Sequence, residues 1–255
     1  MKQNELLSQW LAEEEAAHIH GWDFSHIHGR YEEGRDLPWD YDQLVRRFLF
    51  PEHRILDMDT GGGEFLLSLG HPHSLTAATE GYPPNAALCR ETLLPLGIDF
   101  READGGGPLP FPDGSFDLVL NRHGDYLPAE VFRVLKPGGI FLTQQVGAEN
   151  DRELVELLLD PVPPLPFPRP YLSIAREDLE AVGLSILDSQ EAFRPLRFCD
   201  VGALVWFARI ITWEFPGFSV EKCREGLFKA QDILERNQVI EGMIHRYFLA
   251  AEKVE

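Results

Sequence analysis

The stretch Ile55-Leu56-Asp57-Met58-Asp59-Thr60-Gly61-Gly62-Gly63-Glu64-Phe65 decides how this chain folds. A short apolar run, Arg54 to Met58, leads straight into three consecutive glycines and then into a helical run, Glu64 to Leu69. Glycines let the backbone turn sharply and let a ligand approach the helix N-terminus closely. Two phosphate-binding readings of the turn fail. A dinucleotide fingerprint needs G-x-G-x-x-G, and setting its middle glycine on Gly61 puts Asp59 first and Glu64 last. A Walker A loop needs a following Lys-Ser/Thr, which is absent. The charge agrees: Asp57, Asp59 and Glu64 would repel a pyrophosphate and suit a cationic ligand.

Outward from this turn, strand and helix alternate. Ser74 to Thr79 reads as a second strand ending at Glu80, and Asn85 to Leu94 as a helix. Ile98 to Arg101 is a third strand ending near Asp104, and Phe116 to Leu120 a fourth. Leu127 to Leu135 is a helix closed by Lys136-Pro-Gly-Gly139, and Ile140 to Gln144 a fifth strand. Alternation at this spacing implies right-handed βαβ crossovers and a mostly parallel, doubly wound sheet. In such sheets ligands bind beyond the carboxyl ends of the strands. Glu80 stands where a carboxylate can accept both hydroxyls of a ribose, and Asp104 where one can accept from an adenine amino group.

With these residues in view, the sequence resembles the class I S-adenosylmethionine-dependent methyltransferases over about residues 50–147. The resemblance rests on the 55–63 turn, Glu80, Asp104, Leu109-Pro-Phe-Pro-Asp-Gly-Ser-Phe-Asp117 and Val134-Leu-Lys-Pro-Gly-Gly139. It implies a Rossmann-like α/β fold whose seven-stranded sheet ends in an antiparallel strand, here His245 to Ala251. It implies S-adenosyl-L-methionine as cofactor, a sulfonium and ammonium compound without phosphate. Asp57 and Gly61 would meet its methionine part, Glu80 its ribose, and Asp104 with Gly105 its adenine. The full set of expected cofactor contacts is Asp57, Asp59, Gly61, Gly63, Glu80, Asp104, Gly105 and Asn121. There is one departure: the family usually has glycine where Asp59 stands, so weakened or altered cofactor binding is one expectation. Asp tolerates left-handed backbone better than most residues.

Methyl transfer is an in-line displacement in which alignment and exclusion of water are the main tasks, and a base is needed only for an acceptor that holds its proton. The residues after the fourth strand, Asn121-Arg-His-Gly-Asp-Tyr126, should lie beside the methyl group. His123 is the candidate base, with Asp125 and Tyr126 as its orienters; the plain alternative is a packed His123.

The N-terminal fifty residues read as a helical lid segment, and 51–255 as the methyltransferase domain with a cap insertion at about 160–240. Residues 4–18 are helical, and Asp40 caps a helix ended by Pro51. Residues 19–40 read as irregular, with Trp22, Asp23, Phe24 and Tyr31 as lid over cofactor and substrate. His18-Ile-His20 and His26-Ile-His28 are two H-x-H pairs, but without a cysteine partner they read as packed or solvated, and no metal site is expected. Residues 161–170 hold six prolines and must be extended, as a connector or as a wall over the active site. A helix (176–182), a strand (185–189), an aromatic helix (200–212) and a further helix (220–237) follow. The aromatic helix reads as buried core, with a substrate wall as the alternative.

The whole chain has 255 residues, 23 Lys+Arg and 42 Asp+Glu, a net charge of −19. Its pI is near 4.8. Such a field disfavours nucleic acid and anionic membranes. Three scattered cysteines and no signal-like or membrane-spanning stretch make a cytoplasmic protein the expectation. The function expected is methyl transfer to a small molecule. A ribosomal-RNA guanine-N1 methyltransferase, which the C-terminal Asp-Val-Gly-Ala-Leu-Val distantly resembles, comes second, and a non-catalytic cofactor-binding homologue third. Oligomeric state is not legible.

Overall fold

The structure, a computed structural model, describes residues 3–18, 23–34 and 36–254. The chain divides into two compact units. One unit comprises Pro38–Val146, Pro170–Glu191 and Arg246–Glu255; the other comprises Met1–Leu37, Gly147–Arg169 and Ala192–His245. The proline-rich run therefore ends where the chain passes from one unit to the other, and among its residues no helix or strand forms.

Nine α-helices and eight strands occur among the described residues. In chain order they are α1 (Gln3–Glu15), β1 (Tyr31–Glu33), α2 (Tyr41–Phe48), β2 (Ile55–Met58), α3 (Glu64–Ser68), β3 (Thr76–Glu80), α4 (Pro83–Thr92), β4 (Asp99–Glu102), β5 (Phe116–Arg122), α5 (Pro128–Val134) and β6 (Leu135–Val146). Then come α6 (Arg152–Leu158), α7 (Leu172–Ala181), β7 (Leu184–Phe198), α8 (Val201–Ile210), α9 (Arg224–Asn237) and β8 (Ile240–Lys253). The strand order is β1-β7-β8-β6-β5-β2-β3-β4. Strands β4, β3, β2, β5 and β6 pair in parallel, and β8 lies antiparallel to β6. This is the doubly wound α/β sheet expected, with an antiparallel last strand. The count is eight rather than seven because Tyr31–Glu33 pairs antiparallel with Leu196–Phe198. That pairing joins residues 165 positions apart in a stretch that reads as irregular, so no local pattern announces it.

The larger unit is built by alternation along the strands. Leu56, Met58, Val119, Phe141, Leu249 and Ala251 face one apolar layer with Val131 and Val134 of α5 and Leu179 of α7. Ile55, Leu118, Leu120, Leu142, Phe248 and Ala250 face the other with Val45 of α2, Leu66 of α3 and Ala86 of α4. Successive residues of a strand point to opposite faces, so a sheet covered on both sides must be apolar at nearly every position. Asp57 is the exception in β2: it is 4% exposed between Leu56 and Met58.

In the other unit α8 is the centre of a separate core. Eight of its ten residues are buried, and Trp206 and Phe207 lie among Leu6 and Trp10 of α1, Phe198 and Phe215. Asp200 caps it by accepting from the Ala203 amide at 2.8 Å, so of the two readings of this aromatic helix the buried core is the observed one. Phe24 stacks on Tyr31 with centroids 6.0 Å apart and meets Trp206 edge-on. Expected in a lid, both rings are committed to this core. Trp22 and His20 lie outside the described residues. His26 bonds Glu13 at 2.8 Å and stacks on Trp206, and among the described residues no group of three or more metal-ligating side chains gathers.

Candidate active site

The site grows from the carboxyl ends of β2, β3, β4 and β5. The Asp57 carboxylate accepts from the Thr60 hydroxyl at 2.6 Å. Asp59 follows with φ 52°, the left-handed conformation that a glycine would take without strain. Gly61 (φ 67°) and Gly63 (φ 83°) complete the turn. The two glycines are needed for different reasons. Gly63 lies under Leu93, whose Cδ2 would be 2.8 Å from an added Cβ, while Gly61 faces open space. Of the expected cofactor contacts, Gly61 therefore lies on an open surface and Gly63 is a packing residue beneath it.

Glu80, at the end of β3, locks the turn. One of its oxygens accepts from the Gly61 amide at 2.8 Å and the other from the Tyr82 amide at 2.8 Å. Each oxygen keeps a lone pair for further donors. The Cys89 thiol donates to the Gly61 carbonyl at 3.1 Å. Glu64 folds its carboxylate back over Gly62. Asp104 is exposed and accepts from the Gly106 amide at 2.9 Å.

Asp59 is the residue that shapes the cleft. Its carboxylate accepts from the Gly105 amide at 3.3 Å. A Cβ on Gly105 would come within 2.7 Å of Asp59 Oδ2 and run into the Asp125 carbonyl oxygen. A Cβ on Gly124 would come within 2.5 Å of the same Oδ2. The carboxylate thus fills a cradle between two glycines, one after β4 and one after β5. Gly124 escapes a reading of the sequence because it lies in a polar loop with no glycine pattern around it.

The electrostatics of the cleft are those of gathered, partly buried carboxylates. Burial pushes the Asp57 carboxyl up to about 7; the Thr60 hydroxyl and Arg122 pull it back, while Asp59 and Glu80 raise it. Burial, then Glu80, push Asp59 up to about 6; the Gly105 amide opposes this, and Asp104 and Asp125 add to it. Carboxylates crowded in this way are stabilised as anions by a bound positive charge.

The segment after β5 is less uniform than expected. Asn121 is fully buried. Its Oδ1 accepts from Thr143 at 3.2 Å and from Gln145 at 2.5 Å, and its Nδ2 donates to the Asp125 carbonyl at 3.4 Å. Through these bonds it holds the loop in shape. Tyr126 packs edge-on to Phe141 with centroids 5.0 Å apart, and burial, then Tyr247, raise its hydroxyl pKa. The Asp125 carboxylate accepts from the Tyr126 amide at 2.9 Å. Neither orients His123, as both were expected to. The partner of His123 is Gln144, 3.2 Å from its Nε2, and Gln144 Oε1 in turn accepts from the Trp39 indole at 2.8 Å. His123 is itself left-handed, with φ 61°. The residue keeps an exposed surface, yet packing around the ring, then Arg246 and Arg122, hold its pKa below the ordinary value.

Two grooves lie away from this cleft. One, of 420 Å³, is lined by Trp39, Asp40, Arg47, Asp188 and Phe248 among others. The other, of 580 Å³ in the second unit, is lined by Trp10, Glu13, Arg30 and Asp200 among others.

Residues 56–143 match the family model of the methyltransferase domain. Over 117 residues, 42% of this chain, the sequence is 37% identical to the demethylmenaquinone methyltransferase of Thermus thermophilus, and the match covers 53% of that protein. The chain thus spans about half the length of this curated relative. Among solved structures, a Bacillus halodurans protein assigned as a candidate methyltransferase superposes with a TM-score of 0.59 at 19% identity, covering 85% of this chain and 99% of that one. A Deinococcus radiodurans protein of unknown function superposes with a TM-score of 0.55 at 18% identity over 98% of both chains. At these identities the structures speak for the fold alone. No helix among the described residues is long and apolar enough to cross a membrane. Residues 56–143 thus resemble a methyltransferase domain, and the chain has the Rossmann-like α/β fold of these structures.

Proposed function

We propose that the chain binds S-adenosyl-L-methionine in the cleft beyond β2, β3, β4 and β5 and transfers its methyl group to a small-molecule acceptor. The observation that carries this is the gathering of Asp57, Asp59 and Glu80 at the ends of β2 and β3, where burial first and the neighbouring carboxylates after it raise two carboxyls to about 7 and 6. The donor set suits the cofactor. Asp57 and Asp59 offer negative charge to a sulfonium and an ammonium. Glu80 is held by two backbone amides with lone pairs left for ribose hydroxyls, and Asp104 is exposed beside Gly105 and Gly106 for an adenine amino group. Bound there, the cofactor would supply an electrophilic methyl group. The chain's own part is to hold the ligand by charge, to fix the turn that carries it, and to place polar groups of the β5 loop beside the acceptor.

The Thermus relative acts, by its name, on demethylmenaquinone, so small aromatic acceptors are the class to try first. The net charge of −19 argues against RNA. Calorimetry tests the reading directly: saturable binding of S-adenosylmethionine, followed by transfer of labelled methyl to a quinol or phenol, supports it. No heat and no thermal shift at millimolar cofactor would remove it. One observation favours a second reading, a cofactor-binding protein with weakened affinity: the Asp59 carboxylate stands in the cradle between Gly105 and Gly124. Asp59→Gly separates the two, since tighter binding in the variant would mean that the carboxylate obstructs the ligand.

A further inference from the structure

The bonding around His123 has a fixed direction, and that direction changes what the histidine can do. An indole nitrogen only donates. Trp39 Nε1 lies 2.8 Å from one end of the Gln144 amide, so that end must be the carbonyl oxygen. The other end, which faces His123 Nε2 at 3.2 Å, must then be the NH2. An NH2 group cannot accept, so Nε2 must carry its lone pair toward Gln144. The hydrogen of the neutral ring is left on Nδ1.

Every member of this chain is held from outside it. Trp39 packs on Phe248 with centroids 5.1 Å apart. Gln144 is buried, at 4% exposure, in β6, where it pairs with Phe248 of β8 and Arg122 of β5. The His123 amide donates to the Gln144 carbonyl at 2.9 Å, which fixes the backbone from which the ring departs. A left-handed histidine is strained, and such strain persists where the surroundings over-determine it.

We infer that Trp39 and Gln144 are positioning residues that hold His123 as the neutral Nδ1–H tautomer, a hydrogen-bond donor rather than a general base. With Nε2 engaged and Nδ1 protonated, the ring has no free lone pair to take a proton. The consequence rests on the methyltransferase reading: the acceptor served by this site is one whose nucleophile arrives already deprotonated, a phenolate or enolate, with His123 donating to its oxygen. Acceptors that would need His123 to take a tightly held proton during transfer are the class excluded.

Long-range 1H–15N correlation on the full chain, labelled in histidine, reads the tautomer without cofactor or substrate. His123→Asn identifies the signals of His123 among the nine histidines. The expected wild-type pattern at neutral pH is a protonated Nδ1 and an unprotonated Nε2. In Trp39→Phe the amide of Gln144 is free to turn over, and loss of that pattern in favour of Nε2–H is expected. Should Trp39→Phe not fold, Gln144→Met removes the amide that donates to Nε2 itself, and the same loss of pattern is expected. A wild-type Nε2–H tautomer, an imidazolium at pH 7, or an unchanged pattern in a folded variant overturns the inference. None of these results depends on methyl transfer, so failure of the functional reading would show separately, as absent cofactor binding.

Discussion

Asp59 is where the chemistry of this protein departs from a glycine-lined turn, and its behaviour can be measured. Asp57 and Asp59 interact, so they titrate as a unit with apparent values near 7 and 6. Both are raised above the unfolded value of 3.8. The native protein therefore binds more protons than the unfolded chain between about pH 4 and 7. The stability these groups lend is fully present below the unfolded value and is lost as pH rises through 6 and 7. Four carboxylates, Glu13, Asp117, Glu130 and Asp200, are lowered instead and give the opposite slope, so the comparison must be between variants. Asp59→Asn, which tolerates the same backbone, should gain about 1 kcal/mol over wild type at pH 7.5 and nothing at pH 4. This figure is already reduced for solvent screening of a partly buried group. Urea titrations at the two pH values check it; an equal gain at both would mean that charge is not the cause. Glu80→Gln makes a second prediction. The variant amide can accept from only one of the Gly61 and Tyr82 amides, leaving the other unpaired at a cost of about 1–2 kcal/mol. Thermal unfolding should record that loss, and calorimetry a drop in cofactor affinity.

At the scale of elements, the parallel strands and their helices were legible because each is a local apolar run closed by glycine, proline or a capping residue. Asp40 caps α2 through the Gln43 amide at 3.2 Å, as its position before the apolar periodicity announces. The long strands exceed what local pattern shows. β7 runs through Pro195, which lacks an amide hydrogen, and its second half alternates weakly in hydrophobicity, so Ser185 to Ser189 is all that a local window recognises. β8 likewise extends from Ile240 rather than His245. In the site, the acids at the ends of β2, β3 and β4 could be read from spacing. The partners of His123 could not, because Trp39 and Gln144 lie 84 and 21 residues away. Gly124 tests the loop geometry. Gly124→Ala should destabilise by about 1–3 kcal/mol, since its methyl meets the Asp59 carboxylate at 2.5 Å. In an Asp59→Gly background most of that cost should vanish, and a double-mutant cycle measures the difference. Additive losses would place the Asp59 side chain somewhere other than between the two glycines.

For the whole molecule, the two units differ in how they are written along the chain. The unit that carries the cleft is mostly one continuous stretch, Pro38–Val146. The other is assembled from three separate stretches in which α1 meets α8 and α6 meets α9. Helix partners so far apart in sequence leave no spacing to read, and Phe24 and Tyr31, expected in a lid, pack on the α8 rings instead. The charge of −19 likewise has two parts with different reach. Surface carboxylates act through solvent and are screened beyond about 10 Å at 0.1 M salt. Asp57, Asp59 and Glu80 act at contact range inside the cleft, where salt penetrates little. If the cleft acids hold the cationic cofactor, raising sodium chloride from about 0.05 to 0.5 M should weaken its affinity only about two- to fivefold. Lowering the pH from 8 to 5.5 should weaken it more, with net proton release on binding at pH 6 to 7 as the two raised carboxyls ionise. Calorimetry in buffers of different ionisation enthalpy reads that release directly. A steep salt dependence with no proton release would assign the attraction to the general field of the protein, and the crowded carboxylates would then have no part in holding the ligand.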